Sequence, residues 1–89
     1  MRKFEFFSDN GHGWLKVPKA LIAKLGIADK ITHYSYERSA YVYLEEDCDF
    51  ETFAIAYAPA ERLNLTEIRS ERSRVRTYNA YTPACIVQA

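Results

Sequence analysis

The spacing of apolar residues predicts four strands and two helices. Alternating apolar and polar positions have the period of a strand buried on one face, whereas apolar positions three and four apart mark one face of a helix. The strands are expected at residues 3–7, 31–37, 40–45 and 63–69, and the helices at residues 18–25 and 50–58. This strand–helix–strand–strand–helix–strand order predicts an α+β fold. We expect a small antiparallel sheet with two helices on one face, ferredoxin-like or closely related.

Proline and glycine mark the ends of the helices. Residues 14–17 form a short extended segment, and Pro18 suits the first position of the helix that follows. Gly26 is expected just past the end of this helix, where a left-handed residue is common. Pro59 ends the second helix, because proline disfavours helix at the preceding residue.

The two central strands are predicted to form a hairpin that carries four tyrosines on one face. A tight turn at residues 38–39 pairs Tyr36 with Tyr41 and Tyr34 with Tyr43. A shift of one residue moves every side chain to the other face, so this arrangement depends on the register.

Five carboxylates lie where the hairpin meets the second helix, and we call them the acidic corner. They are Glu45, Glu46, Asp47, Asp49 and Glu51. Asp47 or Asp49 suits the N-cap of the helix, and negative charge is favourable at its positive end. The acidic corner is therefore expected to combine helix capping with a charged surface.

Length and charge predict one small domain. The chain has 89 residues and a formal net charge of zero. The charge is uneven, because residues 31–60 carry one arginine against six carboxylates, whereas both flanking thirds are basic. We predict a single domain over residues 1–77 and a C-terminal arm over residues 78–89, in which Tyr78 and Tyr81 dock onto the domain and the last few residues fray.

Cysteine content and hydropathy predict a cytoplasmic protein. Cys48 and Cys85 are expected to be free thiols in a reducing compartment. The N-terminal residues lack the apolar stretch of a signal peptide, and no segment approaches the ~18 apolar residues of a membrane span. We therefore expect no membrane association.

The motifs of common enzymes and metal sites are missing from the sequence. The acidic corner alternates like the start of a calcium loop, but the central glycine and the distal glutamate of that loop are absent. The histidines and cysteines show no paired zinc spacing. A nucleophile–base pair of Cys48 with His12 or His33 has no supporting motif. We expect no cofactor, no metal and no catalysis.

Two binding functions stay open on composition. In the first, the tyrosine hairpin and the acidic corner dock a protein partner, since interfaces favour tyrosine anchors with a charged rim. That docking face comprises Tyr34, Tyr36, Tyr41, Tyr43, Glu45, Glu46, Asp47, Asp49 and Glu51. In the second, sheet aromatics stack bases while an arginine-rich arm holds phosphates. The arginines of this arm are Arg69, Arg72, Arg74 and Arg76.

Two sequence blocks carry a resemblance to a known family. They are His12-Gly-Trp-Leu-Lys-Val-Pro18 and Tyr43-Leu-Glu-Glu-Asp-Cys-Asp49. Within a match over residues 4–53, they resemble a widespread family of short, uncharacterised proteins of bacteriophages, plasmids and other mobile elements. The resemblance implies an accessory protein that binds and inhibits a host or defence protein, in the manner of an anti-CRISPR protein. The expected partner has a basic surface, nucleic acid ranks second, and the protein is expected to be a monomer or homodimer.

Overall fold

A six-stranded sheet runs through the molecule, with both α-helices packed on one of its faces. The computed structural model describes residues 3–57 and 63–86. In chain order the elements are β1 Lys3–Ser8, β2 Gly13–Pro18, α1 Lys19–Leu25, β3 Tyr36–Arg38, β4 Tyr41–Glu45, α2 Asp49–Tyr57, β5 Asn64–Arg69 and β6 Asn79–Ala80. The α+β class predicted from the sequence is confirmed.

The strand order differs from the ferredoxin-like prediction. The sheet order is β5-β1-β2-β4-β3-β6, and β1 pairs with β2 as a hairpin before the first helix. The sheet is mixed rather than antiparallel, because β5 lies parallel to β1 at one edge. The segment at residues 14–17 was predicted to be merely extended, but it is a central strand that pairs with β4 on its other side.

A tight turn at residues 9–12 makes this first hairpin. The backbone N–H of Asp9 donates to the carbonyl of His12 at 2.9 Å, and the Asp9 carboxylate accepts the N–H groups of Gly11 and His12 at 3.0 Å. A Cβ atom on Gly13 would lie 2.4 Å from the ring of Phe6, so any larger residue here would force that ring to move. The turn therefore brings residues 13–18 alongside β1.

The main core lies between the sheet and the helices. Phe4 packs edge-on against Phe53 of α2 at 5.5 Å between ring centroids. Gly26 ends α1 in the left-handed conformation with φ 69°, as its position in the sequence predicts. The buried residues of this core include Phe4, Leu15, Val17, Leu21, Ile22, Val42, Leu44 and Phe53.

The register of the central hairpin differs from the prediction. The strand expected over residues 31–37 is reduced to Tyr36–Arg38, and the turn lies at residues 39–40. Tyr36 therefore opposes Tyr43, and Arg38 opposes Tyr41. Tyr34 lies outside the strand, so the predicted ladder of four tyrosines is wrong.

Residues 31–35 leave the sheet because they bond to a buried carboxylate instead. Asp49 is fully buried, and its carboxylate accepts the backbone N–H of Thr32 at 3.0 Å, the Thr32 hydroxyl at 2.7 Å and the Ser35 hydroxyl at 2.5 Å. Ser35 in turn accepts the N–H of Glu45 at 2.9 Å. This network ties the 31–35 loop to the start of α2 and the end of β4.

The second face of the sheet is covered by the segment that carries the arginine-rich arm proposed for nucleic acid. Val75 is fully buried against Trp14 and Tyr43, within a short 3₁₀ helix, Arg74–Thr77. The Ser73 side chain caps this helix by accepting the N–H of Val75 at 3.3 Å. Residues 70–78 therefore close a second, smaller core.

The predicted boundary after residue 77 does not separate a tail from the domain. Strand β6 pairs with β3, and Tyr81 is only 1% exposed. The Tyr81 hydroxyl donates to the carbonyl of Ala28 at 2.6 Å, and Ile86 belongs to the main core. Residues 78–86 are thus part of the fold, whereas the fraying predicted for the last residues falls on positions 87–89, outside the described residues. Within the described chain, neither helix has the length and apolar character needed to cross a membrane.

Replacing the buried carboxylate of Asp49 should destabilise the fold. Asp49→Ala leaves the donors of Thr32 and Ser35 without their acceptor, so we expect a loss of about 2–4 kcal/mol in the free energy of unfolding. Asp47→Ala removes an exposed carboxylate two residues away and should change the free energy of unfolding by less than about 0.5 kcal/mol. Urea denaturation followed by circular dichroism measures both, and equal losses would contradict the assigned network.

Candidate functional site

A cleft of about 410 Å³ opens where the β1–β2 turn, the end of β4 and the 31–35 loop meet. Its lining combines aromatic rings with acidic side chains, a thiol and one arginine. The lining residues are His12, Trp14, Tyr34, Tyr36, Glu45, Asp47, Cys48 and Arg76. Four segments of the chain, at residues 12–14, 34–36, 45–48 and 76, therefore build one site.

One wall of the cleft is held by an ion pair between the first turn and the C-terminal third of the chain. The guanidinium of Arg76 donates to both oxygens of the Asp9 carboxylate, at 2.6 Å from Nε and 2.9 Å from Nη2. The N–H of Ser73 donates to the same carboxylate at 2.9 Å. Arg76 also lies over the ring of Trp14, 5.2 Å from its centroid. The wall is therefore fixed by a two-point arginine–carboxylate contact, which holds geometry better than a single bond.

The pKa of Asp9 follows from these donors. The Arg76 guanidinium, followed by the N–H of Ser73, holds the pKa of the Asp9 carboxyl well below its usual range. The same hydrogen bonds raise the pKa of Arg76. Both groups stay charged at neutral pH, so neither is a proton donor or acceptor for chemistry in the cleft.

Glu45 also lines the cleft and caps α2. Its carboxylate accepts the N–H groups of Cys48 at 2.5 Å, Asp49 at 2.7 Å and Asp47 at 2.9 Å. Partial burial acts to raise the pKa of Glu45, but these N–H donors outweigh it and the pKa lies below its usual range. The helix cap expected from Asp47 or Asp49 is thus supplied by Glu45, which precedes the helix by four residues.

The groups left exposed around the cleft are acidic and aromatic. Asp47 and Glu46 are exposed, and Glu46 has only a long contact of 4.0 Å to His12. The ring of Tyr34 is 69% exposed and lies 4.5 Å from the ring of His33. The cleft therefore presents unneutralised negative charge beside an exposed ring.

The structure brings together only part of the predicted docking face. Tyr34, Tyr36, Glu45 and Asp47 line the cleft. Glu46 is exposed beside the cleft, and Glu51 is exposed on α2.

Three residues of the predicted docking face lie apart from the cleft. Tyr43 and Asp49 are buried and cannot contact a partner, and burial raises the pKa of Tyr43 to about 12. Tyr41 lies at the other end of β4, where Lys16 sits 4.2 Å from its ring centroid. Side-chain alternation placed Tyr41 and Tyr43 on one face of the sheet but could not show which parts of that face are covered.

Four lining residues were absent from the predicted docking face. They are His12, Trp14, Cys48 and Arg76. The turn before His12 is visible in the sequence, but the contact that holds this turn to Arg76 is made by Asp9, 67 positions away, and leaves no local pattern.

Three of the four arginines proposed to bind nucleic acid are exposed, and the fourth is held in an ion pair. Arg69, Arg72 and Arg74 are exposed, and Arg69 donates to the side chain of Asn10 at 3.1 Å. Arg76 is committed to Asp9. The sheet aromatics lie under α2 or under the 70–78 segment, apart from Tyr41 at the end of β4. The three exposed arginines thus lack a base-stacking platform beside them.

The cleft contains the thiol and imidazole that the sequence raised for catalysis. Cys48 is exposed and Cys85 is partly buried, and both are free thiols. Cys48 and His12 line the same cleft, whereas His33 does not. Over residues 3–57 and 63–86, no three side chains of the His, Cys, Asp and Glu types are grouped to hold a metal ion.

The Asp9–Arg76 pair should make stability depend on pH. A carboxyl with a lowered folded-state pKa stabilises the fold above its unfolded value, near 3.8, and loses that contribution as the pH falls below this value. We expect Arg76→Gln to be less stable than the wild type at pH 7, and the difference to narrow as the pH falls below about 4. Arg72→Gln, an exposed neighbour, should track the wild type at every pH. Thermal melts from pH 7 to pH 2 measure this, and parallel curves for wild type and Arg76→Gln would contradict it.

Similarity to known proteins assigns no function to this cleft. The family resemblance stated from the two sequence blocks therefore remains a prediction. No family model matches the chain, and no curated protein or solved structure is significantly similar to it.

Proposed function

We propose that this protein is a non-catalytic binding protein whose cleft accepts a lysine or arginine side chain from a basic segment of a partner protein. The observation that carries the proposal is that the exposed acidic turn at Glu46–Asp47 and the exposed ring of Tyr34 border a single cleft. A cation that enters between them gains both carboxylate and aromatic contacts.

The internal use of the other carboxylates supports a cationic ligand. Asp9 and Asp49 are buried and accept several hydrogen bonds each, and Glu45 caps α2. Asp47 and Glu46 have no such role, so their charge is available to a partner. Arg76 is already neutralised by Asp9, so it does not offset this charge.

The aromatic residues suit a protein interface. Tyr36 packs edge-on against Trp14 at 6.1 Å between centroids, and the guanidinium of Arg76 lies 5.2 Å from the Trp14 ring centroid. Packed aromatic rings with an exposed tyrosine at the rim are the composition that interface anchors favour. The partner proposed from the resemblance, a host or defence protein with a basic surface, fits this chemistry. The cleft would then block that surface without altering it chemically.

Substitutions at the rim of the cleft test this proposal. An affinity-tagged wild-type protein should capture a partner from bacterial lysate, and titration calorimetry with that purified partner should give a dissociation constant. Asp47→Lys and Tyr34→Ala should each weaken this binding by roughly tenfold or more, because both remove contacts at the rim. Inhibition of the partner's own activity should fall in proportion.

Glu51→Lys is the matched control. It makes the same change of charge on an exposed helix residue that does not line the cleft. Equal losses for Asp47→Lys and Glu51→Lys would indicate general charge attraction and contradict a cleft site. A steep salt dependence of binding to a bare oligonucleotide, lost in Arg72→Glu and Arg74→Glu, would overturn the proposal in favour of nucleic acid.

A further inference from the structure

The outer edge of the sheet at β5 suggests a second interaction surface, made of residues that do not line the cleft. Strand β5 is six residues long and has β1 as its only neighbour among the described strands. Leu65 is 42% exposed and Ile68 is 38% exposed, on opposite faces of this strand. An edge with exposed apolar side chains on both faces is a template for a further strand.

The backbone geometry fixes which residues of β5 face outward. The N–H of Ser70 donates to the carbonyl of Ser8 on β1 at 3.0 Å. Parallel strands bond to one neighbour through alternate residues, so the even-numbered residues from Thr66 to Ser70 face β1. Leu65, Glu67 and Arg69 therefore direct their N–H and C=O groups away from the sheet.

We propose that β5 pairs antiparallel with β5 of a second copy of this chain, across a two-fold axis at Ile68. In this register Ile68 lies against Ile68 of the second copy. Glu67 lies opposite Arg69 of the second copy, and symmetry repeats that pair on the other side of the axis. Each Glu67–Arg69 pair exchanges main-chain hydrogen bonds through the outward-facing groups and adds an ion pair between the side chains.

Charge selects this register over its neighbours. The two strands bond only where residues with outward-facing N–H and C=O groups lie opposite each other. The two-fold axis must therefore pass through a residue and not between two residues. An axis at Glu67 or at Arg69 sets like charges directly opposite each other, which is unfavourable. An axis at Thr66 sets Leu65 opposite Glu67 and forms no ion pair. Among axes within β5, Asn64–Arg69, only the one at Ile68 both pairs opposite charges and joins two apolar side chains.

The same charges explain why the occupant is a second copy. Charged residues usually guard an edge strand against association. Here the two charges of β5 have opposite signs and lie two residues apart. An antiparallel second copy therefore sets opposite charges against each other, whereas a strand with charges of one sign would repel its own copy. The strand also contains neither lysine nor proline, the residues that most often block an edge.

Charge exchange across the axis tests the dimer. Sedimentation velocity over a concentration series should show that the full-length wild-type protein dimerises. Glu67→Arg and Arg69→Glu should each raise the dimer dissociation constant by roughly tenfold or more, because each sets like charges opposite one another. An equimolar mixture of the two variants should regain dimerisation as a heterodimer, in which both pairs are again opposite in charge.

The controls separate this interface from folding and from the cleft. Lys24→Glu, an exposed charge reversal on α1, should leave the dissociation constant unchanged, as should Asp47→Lys in the cleft. A folding defect in the single variants, which lose the Ser8–Glu67 or Arg69–Asn10 hydrogen bond, would not be repaired by mixing. A wild-type protein that stays monomeric at every concentration, or a mixture that fails to associate, would overturn the proposal and leave this edge to a strand of another protein.

Discussion

The carboxylate of Asp9 holds together two parts of the chain that the sheet alone would leave separate. It accepts N–H groups from Gly11 and His12 within its own turn, and from Ser73 and Arg76 far along the chain. The turn makes β2 a central strand, and the distant contacts hold residues 70–78 over the second face of the sheet. With its side chain only 1% exposed, this carboxylate needs all of these donors to offset its loss of hydration.

Asp9 and the carboxylates at the junction of β4 and α2 divide into two groups with different tasks. Asp9, Asp49 and Glu45 point inward and satisfy backbone groups that would otherwise lack partners in loops and at the start of α2. Glu46 and Asp47, which lie between Glu45 and Asp49 in the sequence, are exposed. A stretch that looks uniformly acidic in sequence thus contains structural and surface charges side by side, and only the surface charges are free to define a ligand.

The proposed functions use two separate surfaces of a very small protein. The cleft is built from the β1–β2 turn, the end of β4, the loop before β3 and Arg76, whereas β5 forms the edge of the sheet beyond β1. No residue of β5 lines the cleft, so the proposed pairing does not use the lining residues. A dimer would then present two clefts, which raises the effective affinity for a partner that offers two basic segments.

Local patterns in the sequence determined strands β1, β4 and β5, the helix ended by Gly26, and the α+β class, because each depends on neighbours within a few residues. The tertiary structure decided the mixed sheet, the hairpin register and the cleft. Thr32 and Ser35 lie outside the strand predicted for them because they donate hydrogen bonds to Asp49 instead. A buried carboxylate requires such donors. The Asp9–Arg76 pair spans 67 positions, and neither hydrophobic period nor turn chemistry encodes which distant arginine meets which aspartate.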